Sequence, residues 1–231
     1  VERENDSRMA RTEGRPLPQG KVTQQSAFIF AVMLAAASVF ILTAWINVLT
    51  AVLTFASMIG YAVVYTMYLK KATPQNIVIG GLAGATPPLL GWTSVTNSVD
   101  PYGLLLVLII YTWTPPHFWA LAIHRRDDYA KVNLPMLPVT HGIEFTKYSI
   151  LGYTILMILA TIFPYLIGMR GLIYLAAALL LGFYFLYMVM QLMFSKRHNI
   201  AIKTFVYSIN YLMLLFLAMV VDHYLPFYPG Y

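Results

Sequence analysis

The sequence contains no cysteine and few charged residues. Its 231 residues include 15 basic and 9 acidic side chains, 10% of the chain. The lack of cysteine excludes disulfide bonds and metal sites built from thiolates. Soluble domains contain about 25% charged and roughly 45–50% apolar residues, whereas 59% of this chain is apolar. This composition favours a protein embedded in a membrane.

The apolar residues form long, continuous runs. A bilayer core of about 30 Å is crossed by about 20 apolar residues in a helix, whereas the strands of a membrane barrel would alternate apolar and polar residues. The runs therefore predict an all-α, polytopic transmembrane helix bundle. Seven spans are predicted: Gln25–Trp45, Ile46–Leu69, Asn76–Val95, Tyr102–Ile123, Tyr148–Gly168, Leu172–Met193 and Ile202–Val221.

Glycine and proline interrupt two of these spans. The third span carries four glycines and the pair Pro87–Pro88, and the fourth carries Pro115 and Pro116. Proline kinks a helix, and membrane proteins tolerate the kink where a neighbouring helix or a cavity satisfies the freed carbonyl groups. The small residues indicate either close helix packing or a widened central cavity, and the sequence leaves both open.

Basic residues are distributed unevenly among the connections. Fourteen of the fifteen lie in alternate segments: before the first span and after the second, fourth and sixth, with Arg170 as the exception. The positive-inside rule places these segments in the cytoplasm, or in the matrix of a mitochondrion, and the C-terminus outside. The net charge of +6 therefore indicates membrane topology and not nucleic-acid binding.

Acidic residues concentrate in two connections on the same predicted side. These are Glu2, Glu4, Asp6 and Glu13 before the first span, and Asp127, Asp128 and Glu144 after the fourth. Carboxylates suit Mg²⁺, which completes its shell with phosphate oxygens and water, and the interleaved basic side chains suit the phosphates themselves. Two such loops facing each other predict a loop-borne metal and diphosphate site. Ordinary solvated loops are the alternative.

Three motifs resemble the haem O synthase (protoheme IX farnesyltransferase) family, which belongs to the intramembrane aromatic prenyltransferase superfamily. ENDSRMARTEGRPLPQG, at Glu4–Gly20, is similar to the first family signature, and WTPPHFWALAIHRRDDYAKVNLPMLPV, at Trp113–Val139, contains the second. YTMYLKKATPQNIVIGGLAGATPPLLGW looks like the conserved block between them. The resemblance covers the whole chain and implies one membrane-embedded prenyltransferase domain over residues 1–231.

The resemblance also implies an activity and a set of site residues. The activity is transfer of a farnesyl group from farnesyl diphosphate to a vinyl group of protoheme IX, forming haem O, with Mg²⁺ as cofactor. Catalytic roles are implied for Glu2, Asp6, Asp127 and Asp128, of which Glu2, Asp6 and Asp128 hold the metal. Diphosphate binding is implied for Arg11, Arg15, Lys70, Lys71, Arg125 and Lys131.

The expected partners are the two substrates, the lipid bilayer and the enzyme that next modifies the haem. The expected location is a bacterial or archaeal cell membrane, or the inner mitochondrial membrane of a eukaryote, with the site loops on the cytoplasmic side.

Family members resemble nine-helix proteins whose first signature follows the second helix. Here that signature precedes the first span, so seven of nine helices are expected, with an N-terminal truncation that removes two helices and one metal-site asparagine.

The second signature departs from the wider superfamily. An Asp-x-x-x-Asp pattern is common there, whereas positions 131 and 132 of this chain are Lys and Val. The departure favours the haem branch over the alternative, a quinone- or chlorophyll-type polyprenyltransferase, and leaves the ligands of a second metal open. A further alternative is a transporter with broken helices, which would place ionisable residues deep within its spans.

His117 is the main ionisable residue inside a predicted span. A histidine in a membrane helix is costly unless it faces a cavity or a partner. One interpretation is a hydrogen bond from His117 to a carbonyl freed by Pro115 or Pro116. The other is haem binding, since imidazole is a common axial ligand of haem iron.

Overall fold

The structure is a computed structural model that describes residues 6–7, 12–194 and 199–225. Of Lys71 only the backbone is described. Regular structure within these residues is entirely helical. The helices are α1 (Gln24–Ile46), α2 (Val48–Leu69), α3 (Asn76–Gly84), α4 (Pro87–Thr96), α5 (Pro101–His124), α6 (Arg126–Lys131), α7 (Leu137–Thr140), α8 (Gly142–Leu166), α9 (Leu172–Phe194) and α10 (Asn199–Tyr224). A short turn, Lys70–Ala72, extends α2.

Six helices are long and apolar enough to cross a bilayer: α1, α2, α5, α8, α9 and α10. The chain is therefore an integral membrane protein, and the all-helical prediction is confirmed. The predicted span Leu172–Met193 is the observed helix Leu172–Phe194, whereas α8 begins earlier than predicted, at Gly142.

The third predicted span, in which the sequence shows glycine and proline interruptions, is not one continuous helix, so six of the seven predicted spans are continuous helices. It consists of α3 and α4, separated at Ala85 and Thr86. Pro87 has no N–H group to donate to the carbonyl of Ala83, four residues earlier. That carbonyl instead accepts from the hydroxyls of Thr86, at 2.9 Å, and Ser57, at 3.2 Å. A side chain of α2, Ser57, thus supplies one of the donors for the carbonyl freed at the break.

Consecutive segments run antiparallel. The ring of Tyr65 in α2 lies directly over Gly80 of α3, and Thr114 of α5 packs on Gly81. One residue, Asn47, joins α1 to α2. The segment before α1, the α2–α3 turn and the α5–α8 connection therefore meet at one end of the bundle. We call these three segments (residues 6–7 with 12–23, 70–76 and 125–141) the signature end.

The two acidic residues at the opposite end are structural. Asp222 is buried and accepts hydrogen bonds from the backbone N–H groups of Gly171, at 2.6 Å, and Tyr174, at 3.1 Å, which satisfies the free donors at the start of α9. Asp100 caps α5 and accepts from the indole N–H of Trp92 at 2.6 Å. That hydrogen bond is the main reason that the pKa of Asp100 lies below its ordinary value.

The buried core lies among α5, α8, α9 and α10. Its largest fully buried side chains are Trp119, Tyr174, Phe185 and Tyr211. Helix α1, in contrast, buries no residue and presents apolar side chains all round. Such a surface is stable where lipid surrounds it, because lipid tails are as apolar as the side chains.

Candidate active site

The first signature carries an acidic and a basic side chain in direct contact. The carboxylate of Asp6 lies 3.0 Å from the guanidinium of Arg15, and the hydroxyl of Thr12 donates to the Asp6 carbonyl at 2.9 Å. The Asp6 side chain is 18% exposed, whereas that of Arg15 is 52% exposed. Glu2 and Arg11, for which roles were predicted, lie outside the described residues.

Helix α6 of the second signature groups three of the predicted side chains. Asp128 lies 3.8 Å from Arg125 and 3.7 Å from Lys131, one turn away on either side. Asp127 lies 3.9 Å from Arg126 and points into solvent, with 87% of its side chain exposed. The signature end therefore gathers the described acidic and basic residues of both signatures, but none of these ion pairs joins the first signature to the second.

The α2–α3 turn adds a polar residue for which no role was predicted. Asn76 is fully buried at the start of α3, and its amide N–H donates to the carbonyl of Lys70 at 3.3 Å. This bond orients the amide, and its buried oxygen, Oδ1, has no hydrogen-bond partner among the described residues. An unsatisfied buried acceptor costs about 1–3 kcal/mol, which marks Asn76 as a position where a ligand or water belongs. The side chain of Lys71 lies outside the described part of the chain.

His117 is buried within α5 and held by α10. Its Nδ1 lies 2.6 Å from the hydroxyl oxygen of Ser208, and its ring stacks between Trp113 and Phe205, with centroid distances of 4.2 and 4.6 Å. The expected alternative of a bond to a proline-freed carbonyl is therefore wrong, because Nδ1 pairs with a side chain of another helix.

The hydrogen bonds around Ser208 determine the tautomer of His117. The Ser208 hydroxyl donates to the Phe205 carbonyl at 2.6 Å, so Ser208 accepts from Nδ1–H of His117. The other nitrogen, Nε2, is then unprotonated. Within the described residues no hydrogen bond engages Nε2. Histidine ligands of metals commonly donate their second nitrogen to a neighbouring acceptor in this way.

Two apolar spaces are lined by Trp113, the residue on which the His117 ring stacks, but not by His117 or Ser208 themselves. The first is a cavity of about 250 Å³ between α2, α3 and α5. It is lined by Tyr61, Tyr65, Ile77, Gly80, Gly81, Gly84, Ile110, Trp113, Thr114 and Phe118. A π-helical stretch of α2, Gly60–Leu69, presents the two tyrosines, and such stretches often occur at functional sites.

The second space is a groove of about 380 Å³ between α4, α5 and α10. It is lined by Pro88, Ile110, Trp113, Ile209, Leu212, Met213 and Phe216. Ile110 and Trp113 line both spaces. The glycines of the third span serve both expected purposes, because Gly80 and Gly81 pack against Tyr65 and Thr114 whereas Gly84 faces the open cavity.

Comparison with known proteins agrees with this arrangement. Residues 1–220 match the UbiA prenyltransferase family. The chain belongs to that family. A protoheme IX farnesyltransferase 2 of Pseudoalteromonas atlantica is 60% identical over 227 residues, which cover 98% of this chain and 74% of the relative. The protoheme IX farnesyltransferase of Alcanivorax borkumensis is 61% identical over 225 residues, covering 97% and 74%.

The fold of this UbiA-family chain also matches a solved structure of digeranylgeranylglyceryl phosphate synthase. The TM-score is 0.75 and the identity 20%, with 96% of this chain and 77% of that chain covered. At this identity the match shows the fold alone.

Sequence reasoning identified the family and the charged loops but assigned no role to Asn76 or Ser208. A polar residue opening an apolar span was the signal for Asn76.

Proposed function

We propose that this protein transfers a farnesyl group from farnesyl diphosphate to a vinyl group of protoheme IX and so forms haem O. The proposal treats residues 1–231 as one prenyltransferase domain. The main support is the identity of about 60%, over nearly the whole chain, with proteins named protoheme IX farnesyltransferase. The structure adds a buried histidine whose Nε2 has no hydrogen-bond partner among the described residues and so suits haem iron, and whose ring stacks on Trp113, which lines two apolar spaces.

The signature end suits the diphosphate. Asp6 and Asp128 offer carboxylate oxygens, and Asn76 offers an amide oxygen that has no partner among the described residues. Such oxygens are the hard ligands that Mg²⁺ prefers. No three histidine or acidic side chains of the described residues form a metal cluster. One or two carboxylates with phosphate oxygens and water suffice for Mg²⁺, so these residues fit the ion, and Glu2 is a further proposed ligand. Bound Mg²⁺ would stabilise the negative charge that develops on the departing diphosphate.

Basic residues of the same end neutralise the leaving group. Arg15 and Arg125 present guanidinium groups whose planar forks match phosphate oxygens. Lys70, Lys131 and, by sequence, Lys71 and Arg11 add further positive charge. Asp127 is proposed as an accessory acid of this loop. Preorganised charges of this kind supply the largest share of catalysis in many enzymes.

The chemistry at carbon follows from loss of diphosphate. The bond between allylic C1 and oxygen breaks, and the electron pair leaves with the diphosphate. The haem vinyl group then donates its π electrons to C1 and forms the new carbon–carbon bond. Water captures the resulting cation and loses a proton, which gives a hydroxyethylfarnesyl side chain. Trp113, whose ring lines both apolar spaces, lies where cation–π stabilisation would help.

The alternative of a transporter receives little support from the described residues. Among the described residues, the buried charged side chains are Lys147 and Asp222. Each lies near a helix end with a partner, Lys147 pairing with Glu144 at 2.9 Å.

We propose that the signature end faces the cytoplasm, or the matrix in a mitochondrion, and that the next haem-modifying enzyme receives the product.

The test uses the purified protein in lipid nanodiscs with Mg²⁺, farnesyl diphosphate and protoheme IX. Chromatography and mass spectrometry should detect haem O, and omission of Mg²⁺ should abolish it. A parallel reaction with an aromatic quinone precursor as acceptor tests the rival branch. Prenylation of that acceptor, with protoheme left unmodified by a well-folded protein, would contradict the proposal.

A further inference from the structure

The cavity between α2, α3 and α5 begins next to charged residues at one end and has an apolar lining towards the other. On α3 its lining runs from Ile77 to Gly84, a distance of about 10 Å at 1.5 Å per residue. Ile77 follows Asn76, which holds the Lys70 carbonyl at the signature end. Aromatic rings, glycine backbone, Ile110 and Thr114 form the remainder. The cavity therefore begins beside a basic turn and continues as an apolar slot.

We propose that this cavity binds the isoprenoid chain and that Gly84 determines the longest chain accepted, an inference that rests on the proposed function. A prenyl diphosphate has a charged head and an apolar tail. The head belongs at the Lys70 turn, and the tail extends along the glycine face of α3. Gly84 lies at the far end of that path, two turns of helix beyond Ile77.

His117 lies outside this cavity. Its ring stacks on Trp113 and Phe205, and its Nδ1 binds Ser208 of α10. Trp113 lines the cavity, whereas neither His117 nor Ser208 does. The imidazole proposed to bind haem therefore does not occupy the path proposed for the isoprenoid.

Packing singles out Gly84 among the three glycines of the cavity. A Cβ atom at Gly80 would collide with the ring of Tyr65, and one at Gly81 would press on Thr114 at 3.1 Å. A Cβ atom at Gly84 meets no atom of the described residues within 4 Å. At the neighbouring residue, the hydrogen bond from the Ser57 hydroxyl to the Ala83 carbonyl joins α2 to α3. A larger side chain at position 84 would therefore occupy the cavity without displacing its walls.

The experiment compares Gly84→Leu with Gly91→Leu. Gly91 is a matched control, because it is also helical, an added Cβ meets no atom within 4 Å, and it does not line the cavity. Calorimetry would measure binding of geranyl and farnesyl thiodiphosphate, without haem, to each protein in nanodiscs. One methylene in a tight apolar pocket changes selectivity by roughly 10–200-fold. Gly84→Leu should therefore lower the ratio of farnesyl to geranyl affinity at least about tenfold, and Gly91→Leu should leave it unchanged.

An unchanged ratio in a folded Gly84→Leu protein would overturn the inference. Thermal unfolding verifies the fold, and Gly84→Ala provides a second, smaller variant whose effect should lie between those of wild type and leucine. Because haem is absent, the binding assay is independent of the acceptor. If the wild type binds the farnesyl analogue but never prenylates protoheme, the proposed function fails while the cavity assignment stands.

Discussion

Replacing Ser208 with alanine tests whether His117 is a haem ligand. Ser208 accepts from Nδ1–H of His117 at 2.6 Å, in a site where both residues are buried. Without that acceptor the imidazole is free to change tautomer and loses its orientation, so Nε2 is no longer held ready for iron. Loss of such an outer partner typically lowers metal affinity by about 10–100-fold. We expect Ser208→Ala to weaken haem binding by this factor and His117→Ala to abolish axial ligation.

The assay is a spectroscopic titration of the protein in nanodiscs with protoheme IX, in which the Soret band reports the axial ligand. Binding of farnesyl thiodiphosphate, measured separately, should be unchanged in both variants, because the charged residues lie at the signature end. Ser149→Ala is the control, since the Ser149 hydroxyl also donates to a carbonyl of its own helix, that of Phe145, at 3.0 Å.

Wild-type haem affinity and an unshifted Soret band in a folded His117→Ala protein would refute this reasoning. His117 would then be a packing residue that joins α5 to α10. Equal losses of haem and farnesyl thiodiphosphate binding in Ser208→Ala would also contradict it, because a general disturbance of the bundle affects both ligands.

Three further predictions concern acidic residues. Asp6→Ala should lower the rate of haem O formation by a factor on the order of 10²–10³, and Asp6→Asn should lower it nearly as much, while thermal unfolding stays unchanged. Near-normal turnover would remove Asp6 from the site. Asp222→Ala leaves two buried N–H groups without an acceptor and should lower the free energy of unfolding by about 2–6 kcal/mol, at about 1–3 kcal/mol for each group, with haem and farnesyl thiodiphosphate affinity retained. The pKa of Asp100 is lowered, chiefly by the Trp92 indole N–H, so its contribution to stability is complete above about pH 3.9 and disappears as the pH falls through the lowered value. Asp100→Asn should lack this acid-dependent loss in thermal unfolding.

Much of the fold could be predicted because the membrane imposes strong local signals. Each long apolar run had to be a helix, and six of the seven predicted spans are continuous helices. The break in the third span was harder to predict. Pro87 and Pro88 indicated a disturbance, but the hydroxyl of Ser57, which satisfies the freed Ala83 carbonyl, comes from α2. Whether such a partner exists depends on tertiary packing, which the local sequence does not show.

The charged part of the site was predictable for a similar reason. Topology confines charges to connections between spans, so the alternation of basic segments brings Asp6, Lys70 and Asp128 to one end without any knowledge of packing. Which pairs form within that end depends on short-range geometry. Arg125 and Lys131 lie one turn on either side of Asp128 in α6, and this follows only once the second signature is known to be helical.

The apolar part of the site could not be predicted, because the helices that build it have no polar face. In a soluble protein, an apolar stripe shows which side of a helix is buried. Helix α5 is apolar on every side, since lipid and protein interior demand the same residues. The sequence therefore did not show that His117 faces α10 whereas Phe118 faces α3. The pairing of His117 with Ser208, 91 residues later, requires the crossing of two such helices, and the position of that crossing depends on tertiary packing.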